Sequence, residues 1–321
     1  MLKQIYRIIV LTIVFVASLY YFSKDIKEVV FNIDNTTSMA EATFPLVSLR
    51  TEDRVVNLLH GYSSNLDANS IREALLPIGS NQVYEVMINQ EKYDIKKLNY
   101  ELRDFTQNEL IEKGSVSVFE DEGDMKIARI NLDSELLTDR EYAVKITLIS
   151  SESQKLYYYH RIRRYSKTYL AEKLDFVMEF HEAIKDKQKA EDYIRYLEPD
   201  GKKDNSTLAN INIHSSVDLI TWGNLKPEFI TKVIPTVVEN YTDIAAIVLD
   251  YVVKVNSSDT GELYKVKEYY RIRYSPDRMY LLNYERRMEA FFDIGLASAS
   301  KDQLKLGITN DPTVEYLVSG D

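Results

Sequence analysis

The sequence predicts a mixed β and α+β protein, with an N-terminal transmembrane helix, an Ig-like antiparallel β-sandwich, and an α+β domain with a long helix on an antiparallel sheet. Three observations predict this class. An uncharged apolar run lies near the N-terminus, short apolar segments alternate with turn signals up to residue 166, and a helical pattern then precedes three long alternating segments. The length of 321 residues is enough for about two globular domains.

Composition excludes several functional classes. The chain has 40 basic and 50 acidic residues and a formal net charge of −10. Nucleic acid is therefore not an expected partner, because phosphate backbones are bound by basic surfaces. The sequence contains no cysteine, which excludes disulfides, cysteine-ligated zinc, iron–sulfur clusters and thiol catalysis. It contains no P-loop and no G-x-G-x-x-G motif, so no cofactor is expected.

The apolar run covers residues 8–22, and Ile8, Phe15 and Phe22 mark its beginning, middle and end. It is about 22 Å long as a helix and, with its apolar neighbours, crosses a thin bilayer. Lys3 and Arg7 precede the run, and the charges after it nearly cancel. The positive-inside rule then predicts residues 1–24 as a cytoplasmic tip and signal anchor in the cell membrane, with the bulk of the chain extracytoplasmic. The alternative is a signal peptide that is cleaved near Ser18.

Residues 25–43 are polar and lack periodicity, which predicts a juxtamembrane stalk, and residues 44–166 are predicted to form the Ig-like sandwich. Tyr142 opens a strand directly after a turn, as the tyrosine corner of such sandwiches does. The spacing of the segments, about 10 to 15 residues, is typical of antiparallel sandwiches. The predicted strands cover residues 82–88, 96–103, 115–120, 126–132, 142–149 and 155–165.

Helical signals occur at two places. Ser70 and Glu73 have the spacing of a capping box, which predicts a short helix that ends at Pro77. From Thr168 onward, apolar residues recur at steps of three and four, which predicts a long helix that ends before Pro199.

Residues 167–292 are predicted to form the α+β domain around this long helix. A strand or turn region is expected at residues 208–221, and a short helix after Pro227. Residues 293–321 are predicted to form a C-terminal extension. The strand predicted after Pro312 lacks a partner, so the extension is interpreted as the start of a further domain, and the alternative is that this strand completes a sheet elsewhere in the chain. Three alternating segments predict an antiparallel meander, namely residues 245–255, 262–275 and 280–284.

Several segments resemble a family of uncharacterised, membrane-anchored extracytoplasmic proteins of Gram-positive anaerobes. These segments are MAEATFPLV, AEKLDFVMEFH, INIHSSVDLITWGNL and VEYLVSGD. The resemblance implies an anchor followed by Ig-like and α+β modules, and a β-propeller after them. It implies no activity and no catalytic residues.

No catalytic, cofactor or metal site is predicted. The histidines do not lie at metal-ligand spacing from one another, and His181 falls on the apolar stripe of the long helix, which favours a core histidine. Ser298 and Lys301 match the serine–lysine pattern of penicillin-binding proteins, but the K-T-G strand of that chemistry is missing. The acidic run at residues 120–124 is interpreted as a solvated loop, and a loose calcium site is its alternative. The four histidines are His60, His160, His181 and His214.

Two segments are similar in sequence, namely YYHRIRRYS at residues 158–166 and YYRIRYS at residues 269–275. Period-two alternation places five basic and aromatic residues of each segment on one strand face. Such a stripe suits an anionic wall polymer or an acidic partner, because arginine pairs with phosphate or carboxylate and tyrosine stacks. The alternative is a solvated face with cross-strand pairs to acids such as Asp250 and Glu285. The two stripes are Lys155, Tyr157, Tyr159, Arg161 and Arg163, and Lys265, Lys267, Tyr269, Arg271 and Arg273.

The sequence therefore favours a single-pass membrane protein whose extracytoplasmic modules bind a cell-envelope component or an envelope protein without catalysis. One alternative is an accessory regulator of a membrane sensor kinase that signals through the N-terminal helix. A second alternative is an envelope hydrolase whose site lies outside the recognisable motifs.

Overall fold

A computed structural model describes residues 44–198, 207–255 and 262–291, the backbone of residues 298–300 and 303–305, and scattered positions between residues 4 and 18. The chain divides into two compact units, residues 1–43 and residues 44–321. No helix among the described residues is long and apolar enough to cross a membrane. Ile8 and Phe22 of the predicted anchor lie outside the described residues, whereas Phe15 is helical and 65% exposed. The predicted stalk and the strand after Pro312 also lie outside them.

The second unit is built mostly of antiparallel β-sheet with a few helices. Its first eleven strands form two sheets. In chain order they are β1 (Leu46–Thr51), β2 (Arg54–Leu59), β3 (Gly61–Tyr62), β4 (Leu75–Ile78), β5 (Val83–Asn89), β6 (Ile95–Asp104), β7 (Leu110–Val116), β8 (Glu120–Glu122), β9 (Met125–Asn131), β10 (Glu141–Ser150) and β11 (Lys155–Arg164). Sheet 1 has the order β2-β1-β5-β9-β8, and sheet 2 has the order β3-β11-β10-β6-β7, with β4 parallel to β11.

The two sheets share one apolar core. Alternate residues of each strand face inward, for example Val86 on β5 and Val144 on β10, and both are fully buried. The Tyr84 hydroxyl lies 3.4 Å from Nε2 of His160 in this core. The Tyr142 hydroxyl accepts a hydrogen bond from the backbone N–H of Leu137, as the predicted corner requires.

Five of the six strands predicted from the sequence in this region are found with small shifts at their ends. The strand predicted at residues 115–120 is instead divided between β7 and β8. The helix predicted after Ser70 is wrong. Asp67 caps a 3₁₀ turn at Ala68–Ser70, and β4 follows it with every residue buried. Pro77 fits this short strand because β4 pairs only with β11, so its missing N–H costs no ladder bond on the other side.

The remaining elements form a helix-and-sheet layer, apart from β18 and β19, which pair only with each other among the described strands. Its sheet 3 has the order β12-β17-β16-β15-β13, and β14 also pairs with β15. In chain order the elements are α1 (Leu170–Ala183), a 3₁₀ helix (Lys189–Tyr196), β12 (Asn210–Asn212), α2 (Val217–Ile220), β13 (Glu228–Phe229), β14 (Pro235–Asn240), β15 (Ile244–Val255), β16 (Glu262–Tyr274), β17 (Met279–Ala290), β18 (Ser298–Ser300) and β19 (Gln303–Lys305).

The predicted meander is confirmed as β15, β16 and β17, which pair antiparallel along nearly their whole lengths. Of two helix predictions, one is wrong in part and the other is wrong. The long helix ends at Ala183, and only a 3₁₀ helix follows it before Pro199. The segment after Pro227 is strand β13, because its two residues pair with β15 and Phe229 packs on Tyr251.

Helix α1 packs on the inner face of sheet 3. Its residues Leu174, Val177 and Phe180 are buried, and the Phe180 ring contacts the rings of Tyr270 and Tyr284. The apolar stripe seen in the sequence is the face that makes these contacts. The opposite face of sheet 3 is left uncovered by the helix.

Strand β14 joins this layer to the first two sheets. The side chain of Asn57, which is fully buried, donates to the carbonyl of Leu75 at 2.9 Å and accepts from the N–H of Val237 at 2.8 Å. Arg161 donates to the carbonyl of Val238 at 2.8 Å. These buried hydrogen bonds tie the three sheets into one body.

Lys173 of α1 reinforces the same joint. Its ammonium is fully buried and donates to Asn240 Oδ1 and to the carbonyls of Thr168, Tyr241 and Thr242, at 2.7 to 3.1 Å. Burial lowers the pKa of Lys173 to about 8, because no carboxylate contacts it directly. The lysine therefore fixes the start of α1 to the turn between β14 and β15.

Candidate functional site

The first predicted stripe lies on β11, and most of it faces other parts of the chain. Tyr159 and Arg161 are 2% and 7% exposed. The Tyr159 hydroxyl accepts from the N–H of Leu66 at 2.7 Å, and Arg161 bonds Glu141 and the backbone of Val238. Residues distant in sequence thus cover a face that alternation alone would leave open.

The ends of the first stripe differ from its middle. The guanidinium of Arg163 lies 5.3 Å and 5.0 Å from the ring centres of Tyr165 and Tyr241, so it is held between aromatic side chains. Lys155 is exposed and Tyr157 is half-buried. Arg163 is half-buried as well, so Lys155 is the one residue of this stripe that is exposed.

The second predicted stripe lies on β16 and is open to solvent. Lys265, Lys267, Arg271 and Arg273 are all exposed, and Tyr269 is half-buried between them. At about 3.4 Å per residue, the stripe extends for about 27 Å along the strand. We call the outer face of β16 with these five residues the basic face.

Acidic neighbours lie beside the lysine half and the middle of the basic face. Asp250 lies opposite Lys267, Glu289 lies opposite Lys265, and Glu285 lies opposite Tyr269. Even so, the four cations of the basic face form no ion pair with any other residue that the structure describes. The cross-strand ion pairs that the alternative interpretation predicts are therefore not formed by the lysines.

The arginine half has uncharged neighbours. Arg271 lies opposite Ala246 on one side and Asn283 on the other. The guanidinium of Arg273 lies 4.6 Å from the ring centre of Tyr280, and that of Arg278 lies 4.2 Å from the same ring. Asp277, in the turn before β17, is four residues from Arg273, and Glu268, three residues from Arg271, is buried on the other side of the strand. Arg271, Arg273, Arg278 and Tyr280 thus form a positive, aromatic end of the basic face.

A buried polar cluster lies on the opposite, inner side of β16. Glu268 is fully buried, and its carboxylate lies 2.8 Å from Nδ1 of His181. It also accepts hydrogen bonds from the hydroxyls of Tyr251 at 2.9 Å, Tyr270 at 2.8 Å and Tyr284 at 3.4 Å. Glu268 is the one polar residue on an otherwise apolar strand face, and this break in the alternation is the sequence signal for the cluster.

The electrostatics of Glu268 follow from these contacts. Burial alone would raise its pKa, but the hydrogen bond and charge of His181, the charge of Arg286 and the Tyr270 hydroxyl together lower it below the usual value. Burial next to this carboxylate raises the pKa of each of the three tyrosines well above its ordinary value.

Arg286 completes the cluster from β17. Its guanidinium donates to the carbonyls of Ile220 and Leu219 at 2.8 Å and lies 3.8 Å from the ring centre of Trp222. All of these groups are at most about 2% exposed. A substrate cannot reach them, so the cluster anchors α2 and α1 to the sheet and is not a catalytic centre.

The other sequence candidates lie apart from one another. His160 is buried beside Tyr84, and burial lowers its pKa to about 4. His214 bonds the carbonyl of Glu198 at the surface. Ser298 lies in strand β18, whereas the serine–lysine chemistry needs it at the start of a helix. Among the described residues, no three acidic or histidine side chains are arranged to hold a metal ion.

The acidic run at residues 120–124 forms β8 and the turn that follows it. Its residues are exposed, Gly123 adopts a positive φ of 60°, and Glu122 pairs with Arg50 at 2.9 Å. The run is therefore part of a hairpin at the edge of sheet 1.

Comparison with known proteins gives no further indication of function. No protein-family model matches the chain, and no curated protein is found to be similar to it.

Proposed function

We propose that this chain is a single-pass, membrane-anchored extracytoplasmic protein that binds an anionic polymer of the cell envelope without catalysis. The basic face is the binding surface. The observation that carries the proposal is the arginine half of that face, where exposed cations and a tyrosine lie without an acidic cross-strand partner. The anchor and the extracytoplasmic location rest on the uncharged run at residues 8–22 and on the basic residues that precede it.

The chemistry of the basic face favours a repeating anion. Arginine side chains on alternate residues of one strand lie about 7 Å apart and point the same way. Each guanidinium can pair bidentately with a phosphate or carboxylate, and several such contacts add along a polymer. The protein as a whole is acidic, with a net charge of −10, so the attraction has to come from this local surface.

An Ig-like assignment of the first two sheets supports a binding role over an enzymatic one. Strand β1 pairs antiparallel with β5 in one sheet and β4 pairs parallel with β11 in the other, as the split first strand of Ig-like sandwiches does. Such modules commonly present sheet faces and loops to partners, although a fold alone does not define a function.

Retention on purified cell wall tests the ligand. Full-length protein should sediment with Gram-positive cell wall that carries its anionic polymers. It should be released by salt, because exposed charge pairs are screened. Wall from which those polymers have been extracted should retain much less protein. Equal retention on both walls would overturn the proposal, because an uncharged wall component would then be the ligand.

A further inference from the structure

We infer that the outer face of sheet 2 carries a second binding site, which takes a saccharide ring with one acidic group. The site is a groove of about 280 Å³, at the small end of ligand pockets, which hold about 300 Å³ or more. It lies on sheet 2, whereas the basic face lies on sheet 3, and it does not depend on the proposed function of that face.

The floor of the groove is a row of polar side chains across three strands. Asn99 on β6, Thr147 on β10 and Tyr157 on β11 lie directly opposite one another in the register. None of these three side chains makes a hydrogen bond to another residue in the part of the chain that the structure describes. Asn99 and Tyr157 are half-buried, so the polar atoms of this row reach solvent and are available to a ligand.

One wall of the groove, formed by Asn65, is held in place by Tyr159. The Tyr159 hydroxyl accepts from the N–H of Leu66 and contacts Asn65 Oδ1 at 3.5 Å, which holds the segment of Asn65 against the sheet. The amide of Asn65 lines the groove. The groove is therefore built before a ligand arrives, which lowers the cost of ordering it on binding.

The charges of the lining specify the ligand class. Lys145 pairs with Glu101 at 2.9 Å, so these two charges largely cancel. Lys155, at the open end, is exposed and forms no ion pair with another described residue. The lining therefore offers two amides, a hydroxyl and a phenol to hydroxyl groups, and one free ammonium to a single anion. Tyr157 adds an aromatic side chain beside them.

This combination fits an acidic sugar better than a bare anion or a neutral sugar. A bare anion would pair with Lys155 but would make no hydrogen bonds to the polar row of Asn99, Thr147 and Tyr157. A neutral sugar would leave the ammonium without a partner. A ring with several hydroxyls and one carboxylate or phosphate uses both.

Ligand-observed NMR tests the inference. The full-length protein is titrated with D-glucuronate, D-glucose and acetate. Glucuronate should bind about tenfold more tightly than either glucose or acetate, a difference of about 1.4 kcal/mol. Thr147→Val keeps the β-branched shape and removes the hydroxyl, so it should weaken glucuronate binding by about threefold or more without unfolding the chain. Lys155→Met should reduce glucuronate binding to the level of glucose and leave glucose binding unchanged.

Variants of the basic face separate this inference from the proposed function. Arg271→Glu with Arg273→Glu should leave glucuronate binding intact, because neither residue lines the groove. The inference is overturned if acetate binds as tightly as glucuronate, if glucose does, if Thr147→Val leaves glucuronate affinity unchanged, or if wild-type protein binds none of the three.

Discussion

The imidazole of His181 and the carboxylate of Glu268 meet 2.8 Å apart inside the protein, and neither side chain is more than 1% exposed. Three tyrosine hydroxyls point at the same carboxylate. A buried charge is costly unless it is paired and fully hydrogen-bonded, and here the partners come from α1, β15, β16 and β17. The pair therefore links the helix to all three long strands of sheet 3.

Replacing Glu268 should be among the most destabilising single changes in the protein. Glu268→Leu leaves three tyrosine hydroxyls and His181 without their acceptor, and we expect it to lower the free energy of unfolding by about 3–5 kcal/mol. Glu268→Gln keeps one carbonyl oxygen and should cost less than Glu268→Leu. Urea unfolding followed by far-UV circular dichroism measures both.

A matched substitution on the other face of β16 provides the control. Tyr269→Leu changes a half-buried residue next to Glu268 in sequence, and it should cost less than about 1 kcal/mol. Equal losses for Glu268→Leu and Tyr269→Leu would mean that the buried cluster contributes nothing special to stability.

Replacing Asn57 should weaken the joint between the first two sheets and sheet 3 and lower the free energy of unfolding. This residue has a positive φ of 58° and bridges Leu75 and Val237. Asn57→Ala removes both hydrogen bonds and puts alanine in a left-handed conformation that asparagine tolerates better, so we expect a loss of about 2–4 kcal/mol. Asn57→Gly removes the same bonds without backbone strain and should lose about 1 kcal/mol less.

The form of the unfolding curve tests the joint further. Because buried hydrogen bonds tie the three sheets together, the wild-type chain should unfold in one transition by both circular dichroism and the fluorescence of Trp222. Two separate transitions in the wild type, with Asn57→Ala affecting neither midpoint, would show that the layers fold independently.

His160 should make the protein sensitive to acid. Burial lowers its pKa to about 4 from the ordinary 6.5, so the unfolded chain binds a proton at higher pH than the folded chain does. The free energy of unfolding should therefore fall as the pH is lowered through this window. The contribution lost between the two values is about 3 kcal/mol.

The double variant His160→Leu with Tyr84→Phe removes the titrating group without leaving the Tyr84 hydroxyl unpaired. Its stability should decline by about 3 kcal/mol less than that of the wild type between pH 6.5 and pH 4. Parallel curves for the two proteins over this range would contradict the burial of a neutral His160.

The strands were largely predictable because alternation is a local property of the sequence. The meander of β15, β16 and β17 and the helix face around Leu174 followed from it, and Glu268 stood out as a break in the pattern. Whether each of the two stripes is covered or exposed could not be predicted from the alternation. Leu66 and Val238 cover β11 from 93 and 77 residues away in the chain, while the cations on the outer face of β16 are exposed among the residues that the structure describes. Such long-range coverage leaves no local signal.

The errors in local structure have the same origin. The capping-box spacing at Ser70 predicted a helix, but pairing with β11 placed the apolar run after Glu73 in a strand. Tertiary pairing overrode a local signal of about 1 kcal/mol. The groove on sheet 2 could not be predicted without the strand register, because Asn99, Thr147 and Tyr157 become neighbours only when three strands are aligned.

The central claim is that the basic face binds an anionic polymer, and affinity for poly(glycerol phosphate) measured on matched variants tests it most directly. Arg271→Glu with Arg273→Glu reverses two charges at the arginine half of the basic face. Lys226→Glu with Lys232→Glu makes the same charge change at exposed positions that flank β13. We predict that the arginine variant loses about tenfold or more in affinity, which is about 1.4 kcal/mol, and that the lysine variant stays within about threefold of the wild type. Equal affinities for the two variants would contradict the account, since the polymer would then respond to net charge and not to this surface.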